Sequence, residues 1–180
     1  MRSSGICANC DREQHVARSA LNQPPGVQPG ATVWLHTGTY LGNFTSRLTG
    51  NGANPITVRG GAGERAILDG VPTPSGHVLT INGAYTIFRD FEVTNSHPTR
   101  VITNTGSNPA DARGEGVGMY GQGVKLINLV IHDTGQGVGN WGAAPDGEVY
   151  GSIIFTTAGM HRIAGTATAS TRKIRPAKNT

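Results

Sequence analysis

The fold is decided by a six-residue pattern that occurs three times, as FRDFEV (residues 88–93), LINLVI (residues 126–131) and YGSIIF (residues 150–155). Each copy places apolar residues on both sides of a small polar residue, which is Asp90, Asn128 and Ser152 in turn. The first two of these residues are 38 positions apart and the last two are 24 apart. A repeat of about 24 residues is typical of one coil of a β-solenoid.

Within each copy the apolar residues alternate with a period of two, as in a strand with one buried face. Asp, Asn and Ser tolerate tight turns and bond their own backbone, so the central residue predicts a corner between two short strands. We therefore expect parallel pairing between successive copies and one common core. The core residues predicted from the shared phase are Phe91, Val93, Leu129, Ile131, Ile153 and Phe155.

The offset of 38 exceeds one coil by about fourteen residues, and residues 96–115 (SHPTRVITNTGSNPADARGE) account for them. This segment is rich in Pro, Asn, Gly and Ser, which is typical of a loop. We predict that residues 96–115 form an exposed loop inserted in one coil.

Further short strands separated by Gly, Asn and Pro turns are predicted upstream, at residues 31–35, 56–59, 66–70 and 78–81. Many short strands also occur in a β-sandwich, which remains the alternative fold. The repeat and the single large loop favour stacked coils. The predicted class is all-β, a right-handed parallel β-helix with N-terminal coils only, over residues 21–155.

Composition supports strands and turns, since the chain has 27 glycines and 10 prolines and only 14% of its residues are charged. Four positive charges lie in the last nine residues and equal the whole net charge of +4, so the rest of the chain is close to neutral. We therefore expect no nucleic-acid partner. Eighteen consecutive apolar residues occur nowhere, so no membrane insertion is expected. A lone C-x-x-C at Cys7 and Cys10 has no second pair and does not favour a metal or redox site.

Three stretches upstream carry a family resemblance: PGATVWL (residues 29–35), GTY (residues 38–40) and NPITV (residues 54–58). They resemble the opening coils of pectin-lyase-like β-helix proteins, although Ala31 replaces the usual acidic residue and Leu68 stands within the usual IDG. The superfamily includes lyases, hydrolases, epimerases, tailspikes and non-catalytic proteins. The resemblance implies a secreted, carbohydrate-active ancestor, although residues 1–13 lack the apolar core of a signal peptide.

The alternation stops after Phe155, and residues 156–180 are rich in Ala, Thr, Arg and Lys. One explanation is a low-complexity basic tail. The other is a frameshift, because the shifted frame permits YNGWDAPDRGHGHGIYTQNKTGQKY, in which NGW and GHGIY resemble a further rung. We expect residues 1–20 to be poorly ordered, residues 156–180 to be non-native or disordered, and the last rung to offer an edge for self-association.

Enzymes of this kind that act on acidic polysaccharides neutralise a uronate, remove a proton with Lys, Arg or His and stabilise the resulting enolate. The predicted catalytic residues are His132 and Arg113. Asp133 could orient His132, but adjacent strand residues point to opposite faces, which argues against direct pairing. A surface or turn role is the alternative for both His132 and Asp133.

The predicted substrate-binding residues are Trp141, which could stack on a sugar ring, and the cations Arg89 and Arg100. Packing over the solenoid edge is the alternative for Trp141. Ca²⁺ is the cofactor considered, with Asp111, Glu115 and Asp146 as candidate ligands, although their spacing matches no compact calcium loop. Glu92 is a further outward residue of the rungs.

Three functions are considered for this chain. The first is a fragment of a polysaccharide lyase that performs β-elimination on an acidic polysaccharide, the fragment itself being inactive; a glycoside hydrolase is the other enzyme considered. The second is a non-catalytic β-helix used for surface binding or adhesion. A β-sandwich binding module is the third possibility.

Overall fold

A computed structural model of the chain describes residues 20–22, 27–71, 76–98, 113–141 and 144–155. Within them the chain forms fourteen short strands. The strands are β1 (Thr32–Leu35), β2 (Gly38–Leu41), β3 (Phe44–Ser46), β4 (Ile56–Gly60), β5 (Ala66–Asp69), β6 (His77–Ile81), β7 (Thr86–Arg89), β8 (Glu92–Thr94), β9 (Glu115–Met119), β10 (Lys125–Ile127), β11 (Val130–His132), β12 (Gln136–Asn140), β13 (Glu148–Tyr150) and β14 (Ile153–Phe155).

The strands stack into three sheets, because every third strand along the chain pairs with its counterpart in the next coil. Sheet A has the order β1-β4-β7-β10-β13, sheet B β2-β5-β8-β11-β14 and sheet C β3-β6-β9-β12. All pairings between these strands are parallel. The predicted parallel β-helix is confirmed, and the β-sandwich is excluded because its strands would run antiparallel.

The core consists of columns of apolar side chains that run along the solenoid axis. In sheet B the column contains Leu68, Val93 and Ile131, each at most 2% exposed. In sheet A, Phe88 and Leu126 pair directly and are fully buried. Burial of side chains of this size stabilises the fold by about 1.5–3 kcal/mol each. Phe91, Val93, Leu129 and Ile131 are buried as predicted.

In the last three described coils, the corner between sheets A and B is made by one residue with a left-handed backbone. Asp90 has φ 63°, Asn128 φ 52° and Gly151 φ 61°. Asp and Asn tolerate this conformation because their short side chains bond locally, and Gly has no Cβ to clash. The Asn128 amide also donates to the Asp90 carboxylate over 3.0 Å, linking two coils.

The third copy of the pattern is therefore displaced by one residue from the predicted register. Gly151, and not Ser152, lies at the corner, and Ile131 pairs with Ile154. The prediction that Ile153 and Phe155 lie in the core is wrong, since they pair with the outward residues Val130 and His132 and are 60% and 48% exposed. The cause is the left-handed corner itself, which glycine adopts more readily than serine.

The loop predicted over residues 96–115 ends earlier than expected. Glu115 is the first residue of β9, and Arg113 is only 3% exposed. Residues 99–112 lie outside the described residues, as do the N-terminal segment 1–19 and the tail 156–180. No helix within the described part of the chain is long and apolar enough to cross a membrane.

Candidate functional site

His132 ends β11 on the outer face of sheet B and is held by two carboxylates. Its Nδ1 lies 2.8 Å from Asp133 Oδ2 and its Nε2 lies 3.0 Å from Glu92 Oε1. The Phe155 ring stacks on the imidazole at a centroid distance of 5.0 Å. The expectation that Asp133 points away from His132 is wrong, because Asp133 follows the strand with φ 55° and turns its carboxylate back.

The two predicted catalytic residues meet through Asp133. The Arg113 guanidinium donates to the Asp133 carboxylate over 3.1 Å and to its backbone carbonyl over 2.9 Å. On the other side, Glu92 accepts a bidentate pair of hydrogen bonds from Arg65, from Nε to Oε2 at 3.0 Å and from Nη2 to Oε1 at 3.2 Å. His132 thus occupies the centre of a chain of ion pairs that links three coils.

Burial opposes the charged form of His132, but the hydrogen bonds and charges of Asp133 and Glu92 outweigh it and raise the pKa of the imidazole. A protonated imidazole bonded at both nitrogens has no lone pair for removing a substrate proton. Catalysis by His132 and Arg113 stays a prediction, and the geometry equally serves to hold the coils together.

Trp141 lies on sheet C, directly after β12, beside a second aromatic ring. The rings of Tyr120 and Trp141 are nearly parallel, 12° apart, with centroids separated by 6.2 Å. The His77 ring meets Tyr120 edge to face at 5.8 Å. Trp141 remains 43% exposed, so one side of the indole is open to solvent. These three rings are called the aromatic platform below.

Two glycines allow the platform to lie against the sheet. A Cβ on Gly139 would stand 2.7 Å from the Trp141 indole nitrogen, and one on Gly118 would collide with the His77 ring. Glycine at both strand positions therefore leaves room for rings to cover the backbone. Backbone hydrogen bonds from Tyr120 to Ile81 (2.9 Å) and from Trp141 to Met119 (3.1 Å) continue the strand pairing and hold both residues in register.

Glu115 and His77 are the first residues of β9 and β6, and their side chains contact each other. The Glu115 side chain is 14% exposed and the His77 side chain is 15% exposed. The platform therefore adjoins a histidine paired with a carboxylate. Glu115 was predicted as a calcium ligand, and this pairing uses its carboxylate. Asp146 lies elsewhere, 3.4 Å from the Gln122 amide.

The described residues do not assemble a calcium site. Within residues 20–22, 27–71, 76–98, 113–141 and 144–155, no group of three or more His, Cys, Asp and Glu side chains is arranged to hold a metal ion. Asp111, the third candidate ligand, and Arg100, a predicted substrate-binding residue, lie outside the described residues.

Arg89 lies at the corner between sheets A and B, beside an open groove of about 580 Å³. Its Nε is 2.7 Å from Asp90 Oδ2, and the Arg59 guanidinium reaches the same oxygen at 3.0 Å. Partial burial raises the pKa of Asp90, but hydrogen bonds from Arg89 and Asn128 and the nearby arginine charges outweigh it, so the net pKa is lowered. Asp90 is therefore a shared counter-ion for Arg59 and Arg89.

Sequence reasoning missed His77, Tyr120, Arg59 and Arg65. His77 and Tyr120 are 43 positions apart, and only the stacking of coils brings them together. A signal was present in the glycines at 118 and 139, because a glycine inside a strand often marks a place where another group approaches the backbone closely.

Two solved structures resemble this chain. An alginate lyase from Paenibacillus sp. str. FPU-7 superposes with a TM-score of 0.60 at 23% identity, covering 77% of this chain and 41% of the lyase. Pectate lyase Pel9A gives a TM-score of 0.50 at 17% identity, covering 71% of this chain and 40% of the lyase. The sequence matches no known protein family and no curated protein.

The chain thus has the parallel β-helix fold of these two lyases. It spans about two fifths of the length of either lyase. At these identities the likeness shows the fold, and activity has to be argued from the residues.

Proposed function

We propose that this protein binds an acidic polysaccharide through the aromatic platform on sheet C, as part of a secreted polysaccharide lyase. The observation that carries the proposal is the nearly parallel Tyr120–Trp141 pair, with an exposed indole lying over Gly139 of sheet C. A flat apolar ring with a polar edge suits the C–H face and hydroxyl rim of a pyranose. Secretion belongs to the proposal because a polymeric substrate lies outside the cell.

The substrate class is supported by the two structural neighbours, which are named for alginate and pectate. In uronate polymers the carbon next to the carboxylate carries a removable proton. A base takes that proton, the glycosidic oxygen leaves the neighbouring carbon, and a carbon–carbon double bond remains. The leaving oxygen then receives a proton, so the step requires no oxidant.

His77 is a second candidate, beside His132, for the base that removes the substrate proton. Glu115 contacts the His77 imidazole, and Tyr120 adjoins it on the same sheet as Trp141. A carboxylate can orient an imidazole and stabilise its protonated form during proton transfer. His132, by contrast, is bonded at both nitrogens.

We further propose that this chain by itself binds polysaccharide without cleaving it. The support is that Arg113, the cation predicted to take part in catalysis, is buried in an ion pair with Asp133. The same observation favours the second candidate, a non-catalytic β-helix that binds surfaces. We call a protein that extends this chain to the length of the two lyases a lyase-length protein. The two candidate functions differ in whether such a protein releases unsaturated sugars from alginate or polygalacturonate.

The binding proposal is tested by replacing Trp141 with Ala and measuring affinity for alginate and polygalacturonate by titration calorimetry. Loss of the stacking surface is expected to weaken binding about fivefold to tenfold. Phe155→Ala is the matched control, because it removes another exposed ring from a different sheet. Equal affinity of W141A and the wild type for both polymers would refute the proposal.

The lyase assignment is tested by the ultraviolet absorbance of the unsaturated product, in a lyase-length protein with and without Ca²⁺. His77→Ala is expected to abolish product formation, and His132→Ala to leave most of it. The reverse result would return the catalytic role to His132. Absence of product from the unaltered lyase-length protein would establish the non-catalytic alternative.

A further inference from the structure

An outward column of side chains crosses all five strands of sheet A. The pairing register places Trp34 opposite Arg59, Arg59 opposite Arg89, Arg89 opposite Ile127 and Ile127 opposite Tyr150. Neighbouring strands are about 4.8 Å apart, so the column is about 19 Å long. We call it the sheet A column; its members are Trp34, Arg59, Arg89, Ile127 and Tyr150.

An exposed aromatic residue lies at each end of the column, and the three residues between them are partly exposed. Trp34 is 51% exposed and Tyr150 is 72% exposed. The Arg59 guanidinium lies over the Trp34 ring, 5.0 Å from its centroid. Arg59 and Arg89 retain 31% and 38% of their side-chain exposure, so both guanidinium groups can reach a ligand.

Two like charges directly opposite each other on neighbouring strands destabilise a sheet. Here a single carboxylate, Asp90, contacts both Arg59 and Arg89 and leaves one positive charge in excess. A bound carboxylate would balance that charge. Planar guanidinium groups match carboxylates in geometry, which makes this pair suited to an anionic ligand.

The two other carboxylates that line the groove have contacts of their own. Glu64 contacts His36 and accepts a hydrogen bond from the Thr37 backbone. Glu92 contacts both Arg65 and His132. Within the described residues neither acid forms an ion pair with Arg59 or Arg89, so Asp90 is the carboxylate that these two arginines share.

We propose that the sheet A column is a second binding surface, on which an acidic polysaccharide lies along the solenoid axis. The strand spacing of about 4.8 Å is close to the length of one sugar unit in an extended chain, so successive units meet successive strands. Uronate carboxylates bind Arg59 and Arg89, and a sugar ring packs on Trp34. The polymer class rests on the proposed function, but the surface is separate from the aromatic platform.

The test measures binding of alginate and polygalacturonate to the full chain as a function of salt. The double variant R59Q/R89Q is expected to bind about tenfold more weakly, with a shallower salt dependence. Trp34→Ala is expected to weaken binding severalfold. R47Q, an arginine change away from the column, is the matched control and should leave affinity unchanged. Uronate monomer should bind far more weakly than polymer, because polymer contacts several strands together.

Two further variants separate binding from folding. R59K/R89K keeps both charges and should retain most of the affinity. Asp90→Asn keeps a residue that tolerates the left-handed corner and removes the counter-ion, so affinity for the acidic polymers should increase. A loss of stability in R59Q/R89Q with no change in affinity, together with an unchanged D90N, would show a purely structural cluster and overturn the proposal.

The two surfaces can fail independently. If W141A loses binding and R59Q/R89Q does not, the sheet A column is refuted while the proposed function stands. If R59Q/R89Q loses binding and W141A does not, the platform is refuted and the column is the principal surface.

Discussion

At the scale of single residues, His132 shows how a strand end changes the chemistry of a side chain. Alternation along β11 predicted that His132 and Asp133 diverge. The left-handed backbone of Asp133 instead brings its carboxylate to 2.8 Å from the imidazole. Only the φ of one residue beyond the strand decides between these arrangements.

The raised pKa of His132 predicts a pH-dependent stability. Protonation of His132 stabilises the folded state fully below the ordinary histidine pKa of about 6.5. This contribution is lost as pH rises from there through the raised pKa of the folded protein. Urea unfolding between about pH 6 and pH 9 should show this decrease, and His132→Gln should lack it. An identical pH profile in both proteins would contradict the assignment.

At the scale of elements, the corner between sheets A and B sets the register of both. Asn128 at φ 52° joins β10 to β11 and donates to Asp90 in the coil before. Its equivalent in the next coil is Gly151, which shows that this corner accepts glycine. The corner conformation matters more than the identity of the side chain.

Asn128→Ala is therefore expected to destabilise the protein by about 1–3 kcal/mol, because it combines an unfavourable backbone with a lost hydrogen bond. Asn128→Gly loses only the hydrogen bond and should cost about 1 kcal/mol. Chemical denaturation measures both. Equal losses in the two variants would mean that the backbone conformation contributes nothing.

At the scale of the whole molecule, β13 and β14 form the last rung among the described strands. Its large apolar residues are exposed, from Val149 at 37% to Tyr150 at 72%. A strand edge lined by apolar residues is a template for pairing with another chain. The self-association predicted from the sequence therefore stays a prediction, and the exposed apolar edge of this rung is the surface on which to test it.

We predict concentration-dependent oligomers in sedimentation velocity at micromolar protein. Ile154→Lys should reduce them, because it places a charge at the end of the inward column of sheet B. Removal of residues 156–180 should change the thermal midpoint little. If that truncation unfolds a monomeric protein, the tail is a structural cap and the frameshift explanation is wrong.

The sequence by itself determined the repeating coil of the β-helix. Alternation identified the inward residues Phe91, Val93, Leu129 and Ile131, and Asp90 and Asn128 marked the corners, because both signals depend on neighbours along the chain. The family resemblance of residues 29–58 pointed to the same fold, which the superpositions confirm.

Only the tertiary structure decided which side chains from different coils lie next to each other. Tyr120 beside Trp141 and Arg59 beside Arg89 depend on the register between coils, which loops of unequal length set. Alternation also could not choose between Gly151 and Ser152 as the third corner, since both are small. That choice follows from backbone φ, and it reverses which of Ile153 and Ile154 faces the core.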